Sequence, residues 1–228
     1  MNKIKQLINS YSRFITIPWR SDVAAAQRVI FCIYNEKDEL RLRARIDEFE
    51  IVTRQSGHEW IGFDLTDTFP KWLASQKYAN SYFEKPEHLY TLLPNYLIFI
   101  TGSFEEFLGV HSPGENSVVA LKGVGSLFGL LKVKEVVDRF APLVRGRLLV
   151  FFPGSYENNN YRLLDGYDGW NYHAVPITAD RVFTSPSYAA GFNITVPIWN
   201  IGCNNACSWN GYQITDQRLE EDQRTRTL

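Results

Sequence analysis

Strands alternating with helices across short links predict a three-layer α/β fold with a mainly parallel sheet flanked by helices. Three observations carry that expectation. Residues 28–34 (RVIFCIY) form an apolar, β-branched run without alternation, as a strand covered on both faces requires. Residues 36–54 then carry Leu42, Ile46 and Phe49 at helical spacing amid dense charge. Asn35 stands ready to cap this stretch, and Gly57 ends it. Residues 59–65 (EWIGFDL) follow as a second strand, and strand–helix–strand is the unit that builds a parallel sheet.

The remaining elements fit the same plan. Ile4, Leu7, Ile8, Tyr11 and Phe14 form an i, i+3, i+4 stripe, so residues 3–14 read as a short amphipathic helix before Pro18. Asp67 is placed to cap a helix after the second strand. Residues 96–100 (YLIFI) suit a buried strand or a buried helix, and we read them as helix. Residues 117–121 (SVVAL) make a third strand. It runs through Gly123, Val124, Gly125 and Ser126 into a helix carrying Leu127, Leu130, Leu131, Val133, Val137 and Phe140. Residues 147–152 (RLLVFF) make a fourth strand, closed by a Pro153–Gly154 turn. Residues 171–177 supply an edge element, since Pro176 cannot donate to a central ladder. Together these describe a Rossmann-like or degenerate P-loop-like frame over residues 1–184. Residues 185–228 read as an appendage, because residues 184–215 hold no charged side chain and 216–228 are densely charged.

Bulk composition narrows the function classes. The 228 residues are 45% hydrophobic and 21% charged, enough for a sizeable core without metal or disulfide. Lys plus Arg number 24 against 25 Asp plus Glu, a balance that argues against nucleic acid as the main partner. No run of about 18 apolar residues suggests a membrane span. Three cysteines without framework spacing, Cys32, Cys203 and Cys207, indicate a reducing compartment, hence a cytoplasmic protein.

Catalytic signatures fail in turn. A phosphate loop after the first strand would need glycines, yet Asn35-Glu36-Lys37-Asp38-Glu39 has none and carries three carboxylates. Gly123, Gly125 and Ser126 are better placed for an anion, at the end of a strand, although two glycines also make an ordinary turn. Asp64 and Asp67 look superficially like a Mg²⁺ pair, but a helix cap with a loop acid explains them more simply. His58, His88, His111 and His173 share no ligand spacing, and Cys203 and Cys207 lack a second pair, so neither metal nor cofactor is expected. Arg41, Arg43 and Arg45 sit among Asp38, Glu39, Asp47 and Glu48 and read as a self-paired helix face. Lys132, Lys134, Arg139, Arg145 and Arg147 flank a helix and can simply keep it soluble. The richest stretch is 156–172, read as an ordered loop. Its Tyr156, Asn158, Asn160, Tyr161, Arg162, Asp165 and Trp170 combine turn-forming side chains with aromatics of the kind enriched at interfaces.

Three segments in order carry a resemblance: residues 36–40 (EKDEL) after a strand, Gly123-Val124-Gly125 after the third strand, and 151–156 (FFPGSY) leading to Tyr161-Arg162-Leu163-Leu164. Over about residues 1–184 the chain resembles the BrxB family, a domain of unknown function in bacteriophage-exclusion (BREX) defence systems. The resemblance implies an accessory subunit without assigned catalysis. It would work beside a DNA methyltransferase, a large ATPase and the phosphatase-superfamily protein PglZ, its first candidate partner, among other BREX subunits. The expectation is a non-enzymatic scaffold; the rival readings are a small-ligand or nucleotide-binding enzyme or regulator, and a DNA-binding accessory.

Overall fold

The computed structural model describes residues 2–20, 22–157, 160–164, 166–170 and 174–180. In chain order its elements are α1 (Lys3–Ile15), β1 (Val29–Tyr34), α2 (Glu39–Arg43), α3 (Ile46–Gln55), β2 (Glu59–Asp64), α4 (Thr68–Ala74) and α5 (Ala79–Glu84). There follow α6 (Leu93–His111), β3 (Ser117–Lys122), α7 (Val133–Phe140), β4 (Arg147–Glu157), β5 (Asn160–Leu163), β6 (Gly166–Trp170) and β7 (Val175–Ile177). Strand order is β2-β3-β4-β1-β7, every one of these neighbours parallel, and β5 and β6 add an antiparallel ribbon to the far end of β4. This is the three-layer α/β architecture the alternating pattern predicts. No helix among the described residues is long and apolar enough to cross a membrane.

Side-chain alternation divides each central strand between two cores. Along β1, Val29, Phe31 and Ile33 face the cluster beneath α4, α6 and α7, while Ile30, Cys32 and Tyr34 face the cluster beneath α1, α2 and α3. All six residues are buried, which is why the run shows no period of two. Aromatic packing fills both layers. Phe104 stacks on Phe140 with ring centroids 4.0 Å apart, and Phe49 meets Phe151 edge-on at 5.0 Å. Cys32 is core filling, and burial pushes its thiol well above the ordinary range.

Residues 93–111 are indeed helix, and Pro176 sits on the strand that borders β1 at the edge of the described sheet. Four local expectations are corrected. The 36–54 helix is broken after Arg43; Arg45 occupies the cap position of α3 and clamps Glu48 through two bonds of 2.5 and 2.8 Å. The helix expected from Ser126 onward is a single 3₁₀ turn, Val124–Leu127. Gly129, at φ +75°, then turns the chain out of helix until α7 begins. Asp67 occupies the cap position of α4 without capping it. Pro153–Gly154 does not end the fourth strand. Pro153 is the last β4 residue paired with β1, and Gly154 is the first paired with β5. A Cβ on Gly154 would lie 1.9 Å from the Arg162 carbonyl oxygen, so the dipeptide marks a change of partner.

Candidate functional site

Open parallel sheets bind ligands at the carboxyl ends of their strands, and there a polar chain crosses from β1 to β3. The Tyr34 hydroxyl, at the end of β1, donates to Glu39, which opens α2. Arg43, one turn on, donates to the other Glu39 oxygen at 2.6 Å and to Thr66 Oγ1 at 3.1 Å. Thr66 in turn donates to Asp64 Oδ1 through its hydroxyl at 2.6 Å and its backbone N–H at 2.9 Å. Lys122, at the end of β3, places its ammonium 3.8 Å from Asp64 Oδ2. Tyr34, Glu39, Arg43, Asp64 and Lys122 line a cleft of about 160 Å³ together with Leu42 and Phe151.

The surroundings favour the ionised form of Asp64. Burial alone would raise the Asp64 carboxyl, but the two bonds from Thr66 and the nearby Lys122 and Arg43 outweigh it, and the net shift is downward. Burial, then the Glu39 acceptor, pushes the Tyr34 phenol far above its usual range, so Tyr34 acts only as a donor here. Gly123 allows this packing. At φ +70° it lies so close that a Cβ would fall 2.4 Å from Thr66 Oγ1 and 2.6 Å from its backbone nitrogen.

The loop after β1 is equally self-contained. The Lys37 amide donates to Asn35 Oδ1 at 3.1 Å, the Asp38 amide to the Asn35 carbonyl at 2.8 Å, and the Glu39 amide to the Glu36 carbonyl. Asn35 is thus the cap its position predicts. The three amides that a phosphate loop would turn toward a ligand already have acceptors within their own turn.

The other sequence-selected residues are spread more widely. Ser126 donates to the carbonyls of Gly123 and Leu65, at 2.8 and 3.1 Å, tying the turn to the end of β2, and Gly125 lies against Pro153. The stretch read as a loop is instead the antiparallel ribbon β4-β5-β6. Tyr161 is buried in the core against Phe31, Phe152 and Tyr156, so it presents no surface. Tyr156 is half-buried beside it. Asn160 and Arg162 point outward with Ser155 and Glu157, giving the ribbon a polar outer row. Trp170 closes β6. Asn158, Asp165 and the 185–228 appendage lie outside the described residues, as do His173, Cys203 and Cys207. Among the described residues no three His, Cys, Asp or Glu side chains gather to hold a metal. Glu39 and Arg43 pair at i, i+4 as the charged helix face predicts, whereas the links from Arg43 to Thr66 and from Lys122 to Asp64 escape a reading by local spacing because they join different strand ends.

Fold and site together define a three-layer α/β domain whose usual ligand end is occupied by its own ion pairs rather than by a phosphate cradle. Within it, the family model described as BREX protein BrxB matches residues 68–177, the stretch from α4 through β7. No curated protein and no solved structure matches the chain.

Proposed function

We propose that this protein is a non-catalytic accessory subunit of a BREX phage-defence assembly that works by holding other proteins, with a PglZ-like phosphatase-superfamily protein as its first partner. The match of residues 68–177 to the model described as BREX protein BrxB supports membership of such a system. The observation that carries the non-catalytic part is the self-satisfied loop after β1, where the amides of Lys37, Asp38 and Glu39 are already bonded beside three carboxylates. The outward row of the ribbon, Ser155, Glu157, Asn160 and Arg162, is the contact surface. Its inward neighbours Tyr161 and Leu163 anchor it to the core, so it is rigid enough to bind without a large ordering cost.

Full-length protein mixed at micromolar concentration with a purified PglZ homologue is expected to co-elute, and Arg162→Glu to weaken the complex while leaving the fold intact. Absence of co-elution overturns the partner, and equal affinity of the variant overturns the surface. The rival reading, a nucleotide-binding enzyme, draws on the cleft at the strand ends, but 160 Å³ is small against the roughly 300–1,000 Å³ of ordinary ligand pockets. A panel of nucleotides with Mg²⁺ is expected to leave the unfolding temperature unmoved; a shift of several degrees would favour the rival.

A further inference from the structure

At the opposite end of the sheet, where the parallel strands begin, arginines from separate parts of the chain converge. Arg20 follows α1, Arg28 immediately precedes β1, and Arg145 and Arg147 flank the start of β4. With Trp19, Glu115 and Asn116 they line a cleft of about 250 Å³. Gly146 makes the gathering sterically feasible. A Cβ there would lie 2.0 Å from the Ser117 carbonyl oxygen, so β4 can start hard against β3 only with glycine between the two arginines.

The cluster is built rather than scattered. Arg147 is 2% exposed; its guanidinium lies 4.9 Å from the Trp19 ring and donates to the Arg20 carbonyl at 3.2 Å. Trp19 in turn stacks on His58 with ring centroids 3.8 Å apart, and His58 is held between Asn116 Oδ1 and the Ile15 carbonyl. Arg28 donates through one terminal nitrogen to the Arg145 carbonyl at 2.6 Å. Arg20 is ion-paired with Asp22.

Two features point to an incoming acceptor. Trp19 Nε1 and Arg28 Nε are both buried donors with no acceptor among the described residues, an uncommon state in native proteins and more so twice in one cleft. Arg28 and Arg145 are also ion-paired with no carboxylate among the described residues, which leaves their two charges for a ligand. We infer that this cleft binds a phosphoryl oxyanion, either inorganic phosphate or the phosphate of a small ester. A dianion matches the surplus charge, and its several oxygens can accept at once from the indole N–H and from guanidinium forks. The confined volume and the chain's net charge of −1 favour a small ligand over a polyanion.

The test titrates full-length protein with sodium phosphate, glycerol 3-phosphate and adenosine monophosphate at constant ionic strength, by calorimetry and by the indole N–H resonance of Trp19, assigned by its loss in Trp19→Phe. Saturable binding that moves this resonance is expected. Arg28→Gln and Arg145→Gln should each weaken it by about tenfold or more, and Arg28→Lys by less, since it keeps the charge and loses the fork. Tighter binding of an ester than of free phosphate identifies the ester as ligand, and the reverse identifies the free ion. No saturation, binding that leaves the Trp19 resonance still, or unchanged affinity in folded variants overturns the site. Salt-dependent retention on duplex DNA that the same variants abolish, without phosphate binding, overturns it in favour of a polymer surface.

Discussion

At the carboxyl end of the sheet, Tyr34, Glu39, Arg43, Thr66, Asp64 and Lys122 pass hydrogen bonds and charge from one to the next, and every ion has a counter-ion. At the amino end, guanidinium groups outnumber carboxylates, and two buried donors, Trp19 Nε1 and Arg28 Nε, have no acceptor among the described residues. The same parallel strands pass through both, so the contrast does not come from the fold. It comes from which residues stand at the strand termini. In this chain the end where α/β folds ordinarily hold ligands is satisfied internally, and the unsatisfied chemistry lies at the other.

Glycine substitution should break the two ends unequally. Gly146→Ala drives a methyl into the Ser117 backbone and is expected to cost on the order of 3 kcal/mol or more, read from the midpoint of urea unfolding. Gly123→Ala meets Thr66 and strains a left-handed backbone, for a smaller cost of about 1–3 kcal/mol. A Gly146→Ala protein as stable as the wild type would mean that the strand starts are not locked together.

Asp64→Asn sharpens the carboxyl-end picture through pH. Because the folded-state carboxyl is held below its unfolded value, its contribution is fully present above the ordinary carboxylate range and is lost as pH falls through the depressed value. The stability gap between wild type and Asp64→Asn should therefore be constant near neutrality and shrink below about pH 4. A gap that widens on acidification would contradict the arrangement. Arg43→Ala has the smallest expected effect, within about 1 kcal/mol, since the Arg43–Glu39 pair is partly solvated. A larger loss would show that the polar chain acts cooperatively.

Legibility in the sequence followed how local the causes are. The 28–34 run announces a doubly covered strand because every residue faces one core or the other, and the 117–121 strand is legible for the same reason. The break between α2 and α3 carries no Gly or Pro, so the helical spacing of Leu42, Ile46 and Phe49 runs straight across it. The ribbon was hidden by its turn-forming composition: Asn, Asp and Gly read as loop, while the alternation of Asn160, Tyr161, Arg162 and Leu163 is only four residues long. The polar chain and the arginine cleft were least legible. Asp64 and Lys122, or Arg28 and Arg147, meet only once strand order is known, and strand order is a property of no single segment.

The change of partner at Pro153–Gly154 separates two kinds of evolutionary constraint within one strand. Upstream, Leu148, Leu149 and Val150 pair with β3 on one side and β1 on the other, and Phe151 and Phe152 pair with β1 and are equally buried. Downstream, the inward positions Tyr161 and Leu163 are buried in the core, and the outward positions are exposed. Such a ribbon can diversify its outer face while its lining stays fixed.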